Sequence, residues 1–516
     1  MDKVVVINFG SQYTHLIARR IRELGVYSEI VNYDEAEKVL KDPTVKAVVL
    51  SGGPLSVDEE GAPKVGIDFI EELREKGIKI LAICYSHQLL AYLYGSEILK
   101  GIEREFGPAN FEVIRDSPLF SGIPKRFRVW MSHNDSVKEV PKGFIHTGRT
   151  ENCRVASMES IDGKIFSLQF HPEVSHTQYG LKIFDNFLKI AGVRREWNLE
   201  RIVEEKIREI RKKVKDDKVL IAASGGVDST VAAYLIWKAI GDNIYLVFID
   251  TGLLRENERE EVVSNLKELG FKNIIVVDAK DEFLSSLKGV KDPEEKRLIF
   301  SKVYVNVLRR AFNELNDKIG GFRYLAQGTI YPDRIETGKA QKKADRIKSH
   351  HNVILAHEFG LEIIEPLRDF YKDEVRKIGK ILGISDKIIK RKPFPGPGLL
   401  VRVLGEITEE KLKIIRKAHK IVEEEAKKEP FYDELWQIFP VLLDSKSVGV
   451  MGDKRTYGYI VSIRAVLSED GMTAEFAKLP WKFLERVAKR IINEIKEVNR
   501  VVYDITNKPP STIEYE

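Results

Sequence analysis

The sequence predicts an α/β chain: two doubly wound parallel-sheet domains followed by a smaller α+β domain. Three observations carry this. Short apolar runs alternate with helical periodicity through the first two thirds of the 516 residues, the pattern of parallel sheets covered on both faces. Those runs end in small or polar residues at the strand termini where such sheets bind ligands. A Pro/Gly-rich breaker, RKPFPGPGLL at 391–400, then closes the pattern. The length itself suggests about three domains, with expected limits of 1–193, 194–393 and 394–516.

Composition narrows the function classes. Hydrophobic residues make up 43% and charged residues 32%, with 84 basic against 79 acidic side chains and a net charge of +5. This balance gives no strong pull toward nucleic acid. No apolar run approaches the ~20 residues of a membrane span. Two cysteines, Cys84 and Cys153, suit a reducing cytoplasm and exclude a disulfide scaffold. The expected location is therefore cytoplasmic, with neither nucleic acid nor membrane as partner.

In the first third the apolar runs 4–9, 47–50 and 78–83 end in Gly10-Ser11-Gln12, Ser51-Gly52-Gly53-Pro54 and Cys84-Tyr85. Cys84 lies in LAICYSHQLLAYLYG, between a buried strand and an amphipathic helix. A thiol at such an elbow is expected to be exposed and to face a helix N-terminus, a setting for a nucleophile. A lone cysteine is more often a small core residue; the partners argue otherwise. The run 165–170 leads into His171-Pro172-Glu173, where His171 is suited to take the thiol proton and Glu173 to orient the imidazole.

The centre opens with a charged amphipathic helix over 198–214 and then strands near 219–223, 244–249, 273–277 and 324–326. The first strand runs into IAASGGVDST. Gly225 and Gly226 allow backbone N–H groups to close on an anion at the N-terminus of the following helix. The loop lacks the Lys of a common P-loop, and Asp228 faces into it, so pyrophosphate with Mg²⁺ fits better than a lone phosphate. The segment 330–357 is long, charged and aperiodic. It is either a solvated loop or a lid, with Asp333, Lys348, His350 and His351 as candidates to meet a polyphosphate. In the last third Thr408 reads as an N-cap, 480–498 as an amphipathic helix, and 439–443, 449–451 and 461–466 as strands. The tail KPPSTIEYE is either a frayed terminus or, through Lys508, Thr512 and Glu514, part of a site for a phosphorylated small molecule.

Three resemblances follow from these residues. SGGVDS resembles the loop of the ATP pyrophosphatase families, of adenine-nucleotide α-hydrolase-like fold. SGGP, CYSHQ and FHPE resemble the class I glutamine amidotransferases. These, with AQGTIYPD, IKSHHNV, EPLRDFYKDEVR, PFPGPGLLVRVLGE, VGVMGDKRTY and KPPSTIEYE, resemble in order the glutamine-hydrolysing GMP synthetase family over essentially the whole chain. The resemblance implies ATP, XMP and glutamine as substrates, Mg²⁺ as cofactor, and a homodimer formed through the last domain. It implies a Cys84–His171–Glu173 triad with Gly53 and Tyr85 supplying oxyanion N–H groups. It further implies ATP contacts from Ser224, Gly225, Gly226, Val227, Asp228, Ser229 and Thr230, with Asp228 at the metal, and a lid including Lys348, His350 and His351. Arg297, Lys508, Thr512, Ile513 and Glu514 fall on XMP positions. The chain departs from the family at Ala82 and Ser86, which stand where the elbow usually has glycines, at Ser301, and at ILAH after KSHHNV. Those departures leave open an ammonia-dependent synthetase with an impaired or regulatory first domain, or a sensor without turnover; a separate alternative is an ATP pyrophosphatase with another acceptor.

Overall fold

The apolar runs of the first third become strands. In the computed structural model, β1 (Lys3–Asn8), β2 (Tyr27–Asn32), β3 (Val45–Leu50), β4 (Lys79–Ile83), β5 (Ile98–Val113), β6 (Arg126–Val137), β7 (Phe144–Arg149), β8 (Ser157–Ser160) and β9 (Ile165–Leu168) form one sheet, ordered β2-β1-β3-β4-β9-β8-β7-β5-β6. The structure describes residues 1–333, 356, 359–451, 453–468, 471 and 473–516; the expected lid residues Lys348, His350 and His351 lie outside them. The chain divides into two compact units, Met1–Asn198 and Leu199–Glu516.

In the first unit the pairs from β2 to β9 are parallel. Those from β9 through β8, β7 and β5 to β6 are antiparallel. The parallel half is the expected doubly wound sheet; the antiparallel half extends it. Its signal is present in β6, RFRVWMSHNDSV, whose inward positions alternate through Phe127, Val129 and Met131, as one covered face requires. In β5 a register shift between Lys100 and Glu105 breaks the alternation. Helices α1 (Thr14–Glu23), α2 (Ile67–Glu75), α3 (Tyr85–Leu93) and α4 (Gly180–Ile190) follow the 3.6-residue period. α3 buries Leu89 and Leu90 against Ile7, Leu50 and Ile80.

The second unit begins with α5 (Leu199–Val214), the expected charged helix, and continues as β10 (Lys218–Ala222), α6 (Val227–Ile240), β11 (Ile244–Asp250), α7 (Glu258–Glu268), β12 (Ile274–Asp278), α8 (Lys280–Ser286), α9 (Pro293–Ile319), β13 (Phe322–Ala326), β14 (Glu362–Ile364), α10 (Lys372–Ile381) and α11 (Asp386–Ile389). The sheet runs β12-β11-β10-β13-β14 and is parallel throughout. Strand order reverses at β10, so the loop after it stands at the switch point where such sheets bind ligands.

The chain then forms α12 (Glu409–Ala426), β15 (Gln437–Met451), β16 (Lys454–Leu467), β17 (Glu475–Phe476), α13 (Trp481–Glu494) and β18 (Val498–Asp504). Thr408 caps α12, its hydroxyl accepting the Lys411 N–H at 3.2 Å. The helix expected over 480–498 stops at Glu494, and Val498 opens a strand parallel to β16. The limit expected at 393/394 falls inside this unit. One apolar core joins Leu253 and Phe283 to Leu399, Leu400, Ile415, Leu442 and Ile491, and Leu399 N–H donates to the Leu253 carbonyl at 2.7 Å. Among the described residues no helix is long and apolar enough to cross a membrane.

One close approach in the first unit bears on its chemistry. A Cβ on Gly180, the first residue of α4, would lie 1.9 Å from the Pro172 carbonyl oxygen. That backbone sits between His171 and Glu173. Gly180→Ala is expected to force the 171–173 segment outward and cost about 1–3 kcal/mol, read as earlier melting in thermal denaturation. An unshifted melting curve would show that the backbone yields freely.

Candidate active sites

In the first unit a single residue turns the chain from strand to helix. Cys84 follows β4 and precedes α3, at φ 54° and ψ −109°. Such a conformation costs of order 1–3 kcal/mol and needs support from its surroundings. Its N–H donates to the Leu168 carbonyl at 2.7 Å, and its own carbonyl accepts from His87 at 3.0 Å. The thiol, expected to be exposed, belongs to a residue only 7% exposed. The elbow is covered by its surroundings rather than open to the surface. The sulfur lies 3.6 Å from the Ser132 carbonyl and 3.8 Å from Gln169 Nε2.

β9 is parallel to β4, so both strands deliver their carboxyl ends to the same side. This brings His171 to Cys84. His171 Nδ1 is 2.7 Å from Glu173 Oε1, and both residues are buried. Burial opposes a charge on the imidazole, yet the Glu173 carboxylate and the Cys84 sulfur hold its pKa well above the ordinary value. The Tyr13 ring packs edge-on to it with centroids 5.0 Å apart. Arg20 Nε donates to the Glu173 carbonyl at 3.0 Å, fixing the backbone from behind. Thiol, imidazole and carboxylate thus form a relay able to deprotonate a nucleophile and reprotonate a leaving group.

Gly53 and Tyr85 meet beside this relay. A Cβ on Gly53 would lie 2.9 Å from the Tyr85 ring, so only glycine lets the 51–54 loop pass there. Tyr85 is the first residue of α3, where a backbone N–H has no intrahelical acceptor. Its phenol donates to the Pro63 carbonyl at 2.6 Å, and burial pushes its pKa up. The two departures from the family elbow are absorbed locally. Ala82 lies within β4 between Leu50 and Ser167, fully buried. The Ser86 hydroxyl donates to the Ser51 carbonyl, tying the first turn of α3 to the Gly52-Gly53 loop. Losing one buried hydrogen bond costs about 1–2 kcal/mol; if the loop position feeds into the chemistry at Cys84, Ser86→Ala is expected to slow the reaction there roughly tenfold in steady-state assays. An unchanged rate would show that the loop is held by other contacts.

In the second unit Ser224–Thr230 sits at the end of β10 and the start of α6. Gly225 has φ +74°, and a Cβ there would lie 2.4 Å from Val262 Cγ2; glycine is required on both counts. Ser224 Oγ and Ser229 Oγ are 3.2 Å apart, and Ser229 donates to the Gly226 carbonyl at 3.1 Å. Val227 and Thr230 face inward and are buried. Asp228 Oδ2 accepts from Lys372 Nζ at 2.5 Å, while its Oδ1 is buried with no hydrogen-bond partner. Lys372 opens α10, and Arg376 stands one turn on. Burial pulls the Arg376 pKa down, and the Asp228 charge opposes that pull. Arg391 Nη1 donates to the Gly225 carbonyl at 2.6 Å, bracing the loop from behind. Lys372 and Arg376 lie in the EPLRDFYKDEVR stretch and Arg391 opens RKPFPGPGLL, but spacing alone gave none of the three a role at this loop.

The tail is tied down rather than frayed. Glu514 accepts from Arg402 at 2.8 and 3.0 Å and from Gln437 at 3.2 Å. Thr512 donates to the Glu514 carbonyl, its own carbonyl accepts from Arg464 at 3.1 Å, and Ile513 packs beside Phe439 and Val441. Lys508 Nζ donates to the Gly471 carbonyl at 2.8 Å. Glu516 pairs with Lys296, the neighbour of Arg297, so α9 and the tail meet. Arg297 itself is exposed. Arg402, Arg464 and Lys296 are each at most 1% exposed, a burial that sequence reasoning does not anticipate for cations.

Comparisons with known proteins agree with this arrangement. Residues 5–191 match the class-I glutamine amidotransferase family, 199–304 the NAD synthase family, and 424–515 the GMP synthase C terminal domain. A glutamine-hydrolyzing GMP synthase of Thermosipho africanus is 53% identical over 519 residues, covering 100% of both chains. The enzyme of that name from Aquifex aeolicus is 50% identical over 515 residues, covering 99% of both. With three matched domains in this order and full-length identity at this level, the chain belongs to the glutamine-hydrolyzing GMP synthase family.

Proposed function

We propose that this chain makes GMP from XMP, ATP and glutamine, with residues 1–193 releasing ammonia, 194–393 activating XMP, and 394–516 binding XMP and pairing two copies in the cytoplasm. The observation that carries this reading is one chain holding both a buried Cys84–His171–Glu173 relay and the Ser224–Thr230 cradle at a parallel-sheet switch point.

In the first half-reaction His171 takes the Cys84 thiol proton, and the sulfur attacks the glutamine carboxamide carbon. The oxyanion is met by the Gly53 and Tyr85 N–H groups, the kind of electrostatic contribution usually largest in acyl transfer. His171 then protonates the leaving ammonia, and water hydrolyses the thioester to glutamate. Glu173 holds the imidazole in position through Oε1. In the second, the XMP C2 oxygen attacks the α-phosphorus of ATP and pyrophosphate leaves into the loop. Ammonia adds at C2 and AMP departs. Lys372 and Arg376 offset the charge of the leaving pyrophosphate. Mg²⁺ fits the donor set: Asp228 Oδ1, a buried carboxylate oxygen without a partner, would hold it, and the ion would neutralise polyphosphate charge. Arg297, Lys508, Thr512, Ile513 and Glu514 are the proposed XMP positions. Homodimer formation is supported by Val448, Val450 and Tyr457, apolar side chains exposed on the β15–β16 hairpin.

Two variants test the halves separately. Cys84→Ala is expected to lower glutamine-dependent GMP formation by several orders of magnitude while sparing formation driven by ammonium salts. Loss of both activities would make Cys84 structural, and retention of both would remove the relay. Lys372→Ala is expected to slow both glutamine- and ammonia-driven synthesis about 10²-fold, measured as pyrophosphate release. A wild-type rate would take Lys372 out of the nucleotide site.

A further inference from the structure

The antiparallel half of the first sheet gathers three potential ligands that the glutamine chemistry does not use. Glu105 lies on β5, His133 on β6, and Cys153 in the loop between β7 and β8. One ligand atom from each lies within 4.8 Å of the other two, and all three residues are buried. His133 Nδ1 is 2.9 Å from the Asp135 carbonyl. A carbonyl only accepts, so Nδ1 carries the proton and Nε2 presents its lone pair. That nitrogen is buried with no hydrogen-bond partner and lies 3.8 Å from Glu105 Oε2. Glu105 is itself oriented: Oε2 accepts from the Thr150 hydroxyl at 2.7 Å and Oε1 from Asn152 Nδ2 at 3.3 Å. The Thr150–Cys153 turn is closed by Thr150 N–H to the Cys153 carbonyl at 3.0 Å and Cys153 N–H to Thr150 Oγ1 at 2.9 Å.

We propose that Glu105, His133 and Cys153 form a binding site for one borderline divalent cation of the Zn²⁺ type. Carboxylate, imidazole and thiolate together suit such an ion. A ligating imidazole that donates its other N–H to a carbonyl, beside a carboxylate fixed by hydroxyl and amide donors, is the usual outer shell of such a site. Binding releases the Cys153 thiol proton and forms a metal–sulfur bond; no redox step is involved.

The role assigned is positioning. Ser132, next to His133, gives its carbonyl to the Cys84 sulfur. The Asp135 carbonyl that holds His133 also accepts from Gln88 Nε2 at 2.6 Å. Gln88 in turn reaches Gln169 at 3.1 Å, whose amide lies 3.8 Å from Cys84. An ion at this point would fix the backbone beside the Cys84 sulfur without touching substrate.

The test uses the full-length, untagged Cys84→Ser chain, in which Cys153 is the one remaining thiol. Titrated with Co²⁺ and desalted, it is expected to retain about one ion per chain, with an intense thiolate-to-cobalt band in the near ultraviolet that Zn²⁺ displaces. His133→Asn in that background, which removes a direct ligand, is expected to weaken binding by more than the ~10–100-fold typical of losing an outer-shell partner, and Cys153→Ser to abolish the band. No retained ion, retention without the band, or an undiminished band after removal of Cys153 would each overturn the proposal. Where Cys153→Ser does not fold, the Cys84→Ser spectrum decides alone, because no other thiol can produce the band. In the wild-type chain, stripping the ion is expected to lower glutamine-dependent but not ammonia-driven synthesis; an equal loss of both would overturn the positioning role.

Discussion

Both sites depend on one constraint: a parallel strand must hand the chain to a helix at its carboxyl end, on the same side as its neighbours. At that edge the strand's last carbonyls and the helix's first N–H groups lack partners, and the helix dipole favours negative charge there. The chain meets the constraint in two ways. After β4 the turn is compressed into Cys84 alone, at a positive φ held by hydrogen bonds to Leu168 and His87. After β10 it is spread over Ser224-Gly225-Gly226 and closed by hydroxyl contacts within the loop. The first geometry aims one sulfur. The second leaves a concavity of donors.

The electrostatics of the two sites differ accordingly. Around Cys84 the relay is nearly sealed, and a single carboxylate oxygen on Nδ1 sets the imidazole against the cost of burial. Around Asp228 the cations Lys372, Arg376 and Arg391 come from α10 and the segment after it, which are distant in sequence but packed against α6. A proton relay needs few groups at short range. A polyphosphate needs several positive charges that do not collapse onto one another, and Asp228 partly neutralises two of them until a ligand arrives.

Much of this was legible in the sequence, and what was hidden has physical reasons. The strands before Cys84, His171 and Ser224 are continuous apolar runs, because parallel strands are buried on both faces. Of the antiparallel strands, β6 alternates, but β5 is interrupted by a register shift at Lys100/Glu105 and β7 and β8 are only 6 and 4 residues long, too short to leave much periodic signal. The helix expected over 480–498 overran its end at Glu494 as far as the first residue of β18, and the strand VNRVVYD itself was not anticipated. Planar partners such as Arg402 with Glu514, or Arg464 with the Thr506 and Thr512 carbonyls, are non-local and carry no spacing. A buried arginine reads like a surface one.

The elbow departures show how local chemistry can replace a glycine. At position 82 the strand is fully paired on both sides, so a methyl group is accommodated in the sheet's own spacing. At position 86 the added hydroxyl would be an unsatisfied buried group, at a cost of about 1–3 kcal/mol, unless something accepts its proton. The Ser51 carbonyl does. That carbonyl belongs to the loop whose next two residues pass close to Ser11 and His171 (Gly52) and to the Tyr85 ring (Gly53). The Ser86 departure therefore adds a tether between the first turn of α3 and the 51–54 loop. It removes the steric argument for an impaired first unit, because the turn at Cys84 keeps its positive φ with both non-glycine residues in place.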